Sequence, residues 1–171
     1  WLAPGANLRI LHLSDFHASP AIPFSRIETA IQLGLAQKPD LLCLTGDYVT
    51  TNTQCDLKRY RDVLTVLPAA APTFASVGNH DGGRWSELRS GFRTSARIRE
   101  LLADAGIQVL QNAATEQEIN GHRLHLVGLA DFWTREFNSH AAFDGLPKQA
   151  EQLRVVLSHN PDTKAVLQYF S

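Results

Sequence analysis

Residues 76–82 read Ser-Val-Gly-Asn-His-Asp-Gly, an apolar run that breaks into an amide, an imidazole and a carboxylate between glycines. A turn needs Gly with Asn or Asp, but it has no need of His80. Other apolar runs end the same way. Residues 8–13 lead into Ser14-Asp15-Phe16-His17, and 41–45 into Gly46-Asp47. Residues 122–127 lead into Gly128-Leu129-Ala130-Asp131, and 153–157 into Ser158-His159-Asn160. The donors that stand out are Asp15, His17, Asp47, Asn79, His80 and His159. Oxygen and imidazole together suit borderline divalent cations such as Mn, Fe, Zn or Co. Asp15 and His17 are two apart, so in extended backbone they point to one side. Asp47 offers two carboxylate oxygens and could bridge two ions, while Asn79 offers a carbonyl oxygen without adding charge. Two ions roughly 3.5–4 Å apart would generate a hydroxide and clamp a phosphoryl group.

Rival chemistries lack their signatures. The chain holds no G-x-x-x-x-G-K-[ST] or G-x-G-x-x-G loop for cradling phosphate, no G-x-S-x-G elbow and no H-E-x-x-H pair. Its two cysteines, Cys43 and Cys55, form neither a C-x-x-C metal motif nor a disulfide framework.

These donors need elements to position them, and strands alternating with helices supply those. Ile27, Ala30, Ile31, Gly34 and Leu35 recur at helical spacing, and Lys38-Pro39-Asp40 ends that helix. Residues 56–67 read as a second helix. Residues 73–77 and 107–110 read as strands, with a helix between them capped by Thr94 or Ser95 and closed by Gly106. Asn120-Gly121 between 116–119 and 122–127 predicts a two-residue hairpin. Asn160-Pro161-Asp162 opens a last helix, with Asn as cap and Pro at its first position. Residues 128–152 read as a long loop or lid. The expected fold is α/β: layered mixed sheets flanked by helices. In open sheets of this kind ligands bind beyond the carboxyl ends of the strands, where the donors fall.

Length and balance set the remaining bounds. The 171 residues suit one domain, here residues 1–171, with enough chain to bury a core unaided. A net charge of −1 gives no global field for nucleic acid or a membrane surface. No window of 18 apolar residues occurs. The chain contains no Met, which predicts a processed or trimmed piece.

With D-x-H, G-D, G-N-H-D and S-H-N-P-D in that order at strand ends, the chain resembles the calcineurin-like metallophosphoesterases over nearly its whole length. The resemblance implies a pair of sheets flanked by helices (an αββα sandwich) and a dinuclear site between loops. It implies a phosphodiesterase or pyrophosphatase with a hydroxide nucleophile and two divalent ions, Mn, Fe or Zn. Asp15, His17 and Asp47 would hold the first ion, and Asp47, Asn79 and His159 the second. His80 would sit over the phosphate and stabilise or protonate the leaving group. The phrases Leu13-Ser14-Asp15-Phe16-His17 and Gly128-Leu129-Ala130-Asp131-Phe132-Trp133 resemble the bacterial branch of membrane-associated phosphodiesterases and UDP-2,3-diacylglucosamine hydrolases. That branch implies a small-molecule or lipid-linked phosphoester substrate. It also implies a membrane-associated setting, through a segment upstream of Trp1-Leu2-Ala3-Pro4-Gly5; a cytoplasmic setting fits the residues equally.

One departure stands out. The family continues with G-H-x-H after the S-H motif, whereas this chain ends 12 residues after His159, and Gly121-His122 has the wrong place and spacing. The domain is therefore expected to be incomplete at its C-terminus, each ion short of one ligand, the activity weak or lost, and part of a sheet exposed. A non-catalytic metal- or phosphate-binding scaffold is the alternative. A protein phosphatase is a weaker one, since Asp47-Tyr48-Val49-Thr50 lacks the D-R-G that follows G-D in those enzymes. Of the other histidines, His12 is expected to be packed or satisfied within a strand, and His122 and His125 to lie on the surface, facing opposite sides. His140 and Arg84 fit solvated loop positions better than substrate contacts. Phe132, Trp133, Phe137 and Phe143 fit either an apolar substrate pocket or core beneath the long loop.

Overall fold

The computed structural model describes residues 7–50, 55–146 and 153–170. A four-stranded sheet is formed by β1 (Ile10–Leu13), β2 (Leu41–Thr45), β3 (Thr73–Ser76) and β4 (Gln108–Val109), in that order and all parallel. Parallel neighbours require crossovers. These are α1 (Phe24–Leu35) between the first two strands, α2 (Leu57–Leu64) with α3 (Val66–Ala70) before β3, and α4 (Arg84–Glu87) with α5 (Ala96–Asp104) before β4. A second sheet holds β5 (Ala113–Ile119), β6 (His122–Gly128) and β7 (Leu153–Leu157). Its first pair is an antiparallel hairpin and its second is parallel, so the sheet is mixed as expected. Asn120 and Gly121, at φ 52° and 76°, make the turn. A short α6 (Ser139–Phe143) falls within the expected long loop, whose residues 147–152 lie outside the described ones, as does the 1–5 start. A 3₁₀ turn (Pro161–Thr163) leads into α7 (Lys164–Leu167), and Asn160 caps it by accepting from the Asp162 N–H at 2.9 Å.

Alternation along β2 sorts the layers. Leu42 and Leu44 pack with Ile27, Ile31, Leu64 and Leu102 of the helices. Leu41 and Cys43 face the other way, onto Leu124, Leu126 and Leu157 of the second sheet. The outer face of that sheet packs Val127 and Leu129 against Ala142 and Phe143. The order is helices, sheet, sheet, helices. Phe143 is thereby a core residue, stacked on Phe170 with centroids 4.4 Å apart.

Several local expectations are corrected. The helix read over 56–67 is two, interrupted at Thr65, because Pro68 has no N–H to give the Leu64 carbonyl. Asp56 caps the first of them, accepting from the Arg59 N–H at 3.0 Å. Ser95 stands at the N-terminus of α5, but its hydroxyl donates to Glu136 Oε2 at 2.6 Å instead of capping. His125 is buried, not on the surface. It shares the outer face of β6 with Val127, and Glu116, its register partner on β5, brings a carboxylate to 3.8 Å. His12 is satisfied by Thr45 Oγ1 at 2.6 Å, yet it is exposed because β1 is the sheet's edge strand.

Candidate metal centre

The carboxyl ends of β1, β2, β3 and β7 converge on Asp47. Its side chain is nearly buried, and its Oδ2 lies 3.5 Å from His17 Nε2, 3.8 Å from His80 Nε2 and 3.4 Å from His159 Nε2. Asp15 Oδ1 stands 3.5 Å from His17 Nε2 on the solvent side. Two donor groups lie close enough to hold an ion: His17 with Asp47 and His80, and Asp15 with Asp47 and His159. Asp47 is common to both. The pairing differs from that implied by the resemblance, since His80 falls among the candidate ligands. Asn79 is half-buried on the same loop, between Gly78 and His80.

Backbone geometry explains how neighbouring loops reach one point. Asp15, His17 and Asp47 all have positive φ, at 57°, 46° and 56°. That region is disfavoured for residues with a Cβ, and such strain concentrates at functional sites. The loops are tied together by the Asp15 N–H to the Gly46 carbonyl at 3.1 Å and the His17 N–H to the Asp47 carbonyl at 2.9 Å. They approach closely because Gly46 and Gly78 lack side chains. A Cβ on Gly46, at φ 86°, would meet Gly78 N at 2.4 Å, and one on Gly78 would meet Asp47 Oδ1 at 2.2 Å.

Two imidazoles are oriented by carbonyls. His159 Nδ1 lies 2.8 Å from the Thr45 carbonyl and His80 Nδ1 lies 3.2 Å from the Thr50 carbonyl. A carbonyl only accepts, so each Nδ1 carries a hydrogen and each Nε2 faces Asp47. The His80 ring is also flanked by Trp85, centroids 4.0 Å apart, and the Arg89 guanidinium lies over that indole at 3.9 Å from its centroid.

Asp47 is the source of negative charge felt by the imidazoles of this cluster. Burial opposes the charged form of His159, but the Asp47 carboxylate outweighs it and raises the imidazole to about 9. Burial would push Asp47 up, yet His159 and the His80 N–H bring it below the ordinary carboxylate value. Burial is the largest influence on His80 and lowers it, against the pull of Asp47. A proton on His159 and a divalent ion would compete for the same donor atoms.

Two further acids belong to this neighbourhood. Asp81 is fully buried and accepts N–H groups from Asp47, Tyr48 and Gly78, each at 2.8 Å. Burial raises its carboxyl to about 7, against those amides. Asp131, at the end of β6, is also buried and accepts the Trp133 N–H at 2.9 Å. Both stand in the strand-end motifs, but as acids with no stated ligand role their buried positions could not be told from turn residues. Arg84 and His140 are exposed as expected, but they stand on the short helices α4 and α6 and not on loops; Trp133 is exposed too, whereas Phe132 and Phe137 pack on each other at 5.1 Å.

Comparison with known proteins gives the same direction. The family model for the calcineurin-like phosphoesterases matches residues 8–171. The chain is 40% identical over 162 residues to the Escherichia coli phosphodiesterase YaeI, covering 95% of this chain and 56% of that protein. It is 24% identical over 193 residues to the UDP-2,3-diacylglucosamine pyrophosphatase LpxG of Chlamydia muridarum, covering 92% of this chain and 58% of that one. The chain thus spans a little over half the length of these relatives. Among solved structures, Haemophilus influenzae NAD nucleotidase superposes with a TM-score of 0.59 at 16% identity, over 94% of this chain and 35% of that one. At that identity the likeness concerns the fold.

Proposed function

The chain belongs to the calcineurin-like phosphoesterase family, and from that premise we propose that it hydrolyses a phosphodiester or pyrophosphate bond at two divalent ions held by Asp15, His17, Asp47, Asn79 and His159. The observation that carries this reading is the single Asp47 oxygen with three imidazole Nε2 atoms within 3.8 Å. The donor set fits such ions: carboxylate, amide oxygen and imidazole, with the His159 ring already holding its other nitrogen on a carbonyl. When bound, the ions supply Lewis-acid activation of water and neutralise charge on the phosphoryl group. Asp47 would serve both ions, being common to the two donor groups, and its Oδ1 is fixed by the His80 N–H at 3.0 Å, which leaves Oδ2 aimed at the cluster. Asp15, the most exposed member, closes the solvent side. When both its ring nitrogens are protonated, a form that burial disfavours and Asp47 favours, His80 would present Nε2–H to the leaving oxygen and give up that proton, while the Thr50 carbonyl and Trp85 hold its ring in place. The names of the relatives point to a phosphodiester or a lipid-linked pyrophosphate as substrate. No helix among the described residues is long and apolar enough to cross a membrane.

The test pairs metal content with turnover. The protein is incubated with Mn²⁺, freed of excess ion, and assayed by elemental analysis and with bis(p-nitrophenyl) phosphate. About two ions per chain and Mn²⁺-dependent release of nitrophenol, both lost in Asp47→Asn, are expected. Near-normal turnover in Asp47→Asn would sink the site assignment. Bound metal without hydrolysis of any diester or pyrophosphate would instead favour a binding scaffold.

A further inference from the structure

Resting on that metal-site reading, we propose that Asp81 is the positioning residue of the centre. Its buried carboxylate ties the β2 and β3 loops together, so that Asp47 Oδ2 stays aimed at the three imidazoles. Both oxygens are occupied by backbone and are turned away from the role of ligand. Oδ2 accepts the N–H groups of Asp47 and Gly78, and Oδ1 accepts that of Tyr48, all at 2.8 Å. Two of these donors follow β2 and the third follows β3, so one side chain spans the gap between strands that carry different ligands. The backbone at Asp47 needs such a hold. Its φ of 56° lies where a residue with a Cβ gains nothing from local sterics.

The effect passes outward along a short chain of contacts. With its amide fixed by Asp81, Asp47 receives the His17 N–H on its carbonyl at 2.9 Å and the His80 N–H on Oδ1 at 3.0 Å. Three loops are thus registered through one residue whose side chain serves both donor groups. Asparagine in place of Asp81 keeps one oxygen but sets an NH₂ against at least one of the same N–H groups. Alanine removes all three acceptors and leaves the amides buried without partners. Partners of this outer kind change metal affinity by roughly 10- to 100-fold when removed.

The experiment uses the full-length protein and Mn²⁺ as the probe. Asp81→Asn, Asp81→Ala and Asp47→Asn are compared with the parent by calorimetric Mn²⁺ titration, the electron paramagnetic resonance of bound Mn²⁺, and thermal melting. Asp81→Asn is expected to fold, to bind Mn²⁺ roughly tenfold or more weakly, and to show an altered resonance spectrum. Asp81→Ala is expected to bind more weakly still. A lower melting temperature with parental Mn²⁺ affinity and spectrum would show a purely structural residue and overturn the proposal. If neither variant folds, amide hydrogen exchange of the parent decides. The proposal expects Asp47, Tyr48 and Gly78 amides to be as protected in the metal-free protein as those of Leu44 and Ala75, and rapid exchange at all three refutes it. Mn²⁺ binding that survives Asp47→Asn unchanged would defeat the metal-site reading itself, and the exchange measurement then still decides whether Asp81 holds the two loops.

Discussion

Gly78→Ala offers the sharpest perturbation of the loop junction. Its added Cβ would lie 2.2 Å from Asp47 Oδ1, 2.6 Å from Asp47 N and 3.0 Å from Asp47 Cγ. An ordinary contact is about 3.5 Å, so the two loops must part by about 1 Å. Neither Asp47 atom can retreat freely: Oδ1 accepts the His80 N–H and the amide is held by Asp81. Overpacking of this kind costs about 1–3 kcal/mol. For a chain of this size that corresponds to a fall in melting temperature of roughly 2–12 °C. The same shift moves Oδ2 relative to His17, His80 and His159, so Mn²⁺ affinity should fall with stability. Leu102→Ala is the control. Leu102 is fully buried in the helix layer, far along the chain from any candidate ligand, and its truncation should cost about 2–5 kcal/mol. Melting by circular dichroism and Mn²⁺ titration on both variants give the answer. Gly78→Ala is expected to lose affinity and Leu102→Ala to keep it. Parental melting and parental affinity in Gly78→Ala would refute the close approach of these loops.

Other perturbations read different parts of the molecule. Trp85→Ala removes the ring flanking His80, and should lower kcat by about 2- to 10-fold with KM little changed; an unchanged kcat for an alkoxide leaving group would exclude a role for this ring contact. Asp15→Gly relieves a positive φ and removes an exposed carboxylate, so the metal-free protein should melt no lower than the parent while Mn²⁺ affinity falls; clear destabilisation would show that the strain there is small. Burial raises both Cys43 and Cys55 to about 11, so neither should react appreciably with a disulfide reagent at pH 8 until the chain unfolds. The folded state binds these thiol protons more tightly than the unfolded state does. This contribution is therefore complete below about pH 9 and is lost as pH rises towards 11. Denaturant midpoints of the parent and of Cys43→Ala compared across that range check the sign.

What could be read from the chain follows a physical division. The buried strands β2 and β3 and the half-buried β7 announced themselves because a strand covered on both faces, or ending at a polar loop, has an apolar run that stops abruptly. The hairpin was legible at Asn120-Gly121, where both residues take positive φ. The break at Thr65 was missed because hydrophobic periodicity runs through it, and only the missing N–H of Pro68 divides α2 from α3. His125 was misplaced because alternation tells which face a residue occupies but not whether helices cover that face, as α6 and its neighbours do here. Strand ends also supplied the donors, since residue type shows on the chain. Their distances apart do not.

The buried acids make the same point at the site. Asp81 and His80 are neighbours in one motif, yet their side chains go to different layers: His80 to the cluster and Asp81 inward to three amides. Spacing along the chain cannot separate a ligand from the residue that supports it, because both are polar and both follow an apolar strand. The separation comes from donor geometry. A carboxylate whose lone pairs already meet backbone N–H groups has little left for a cation, whereas one that faces imidazole Nε2 atoms does. Asp47 satisfies both conditions with different oxygens: Oδ1 is committed to the His80 N–H and Oδ2 faces the cluster. This division explains why non-glycine residues persist at three positive-φ positions beside it. The strain at Asp15, His17 and Asp47 costs about 1–2 kcal/mol apiece, and it is sustained by backbone bonds between neighbouring loops that glycine could also make. Glycine would fold more easily there but would bring no donor atom to the proposed ion site.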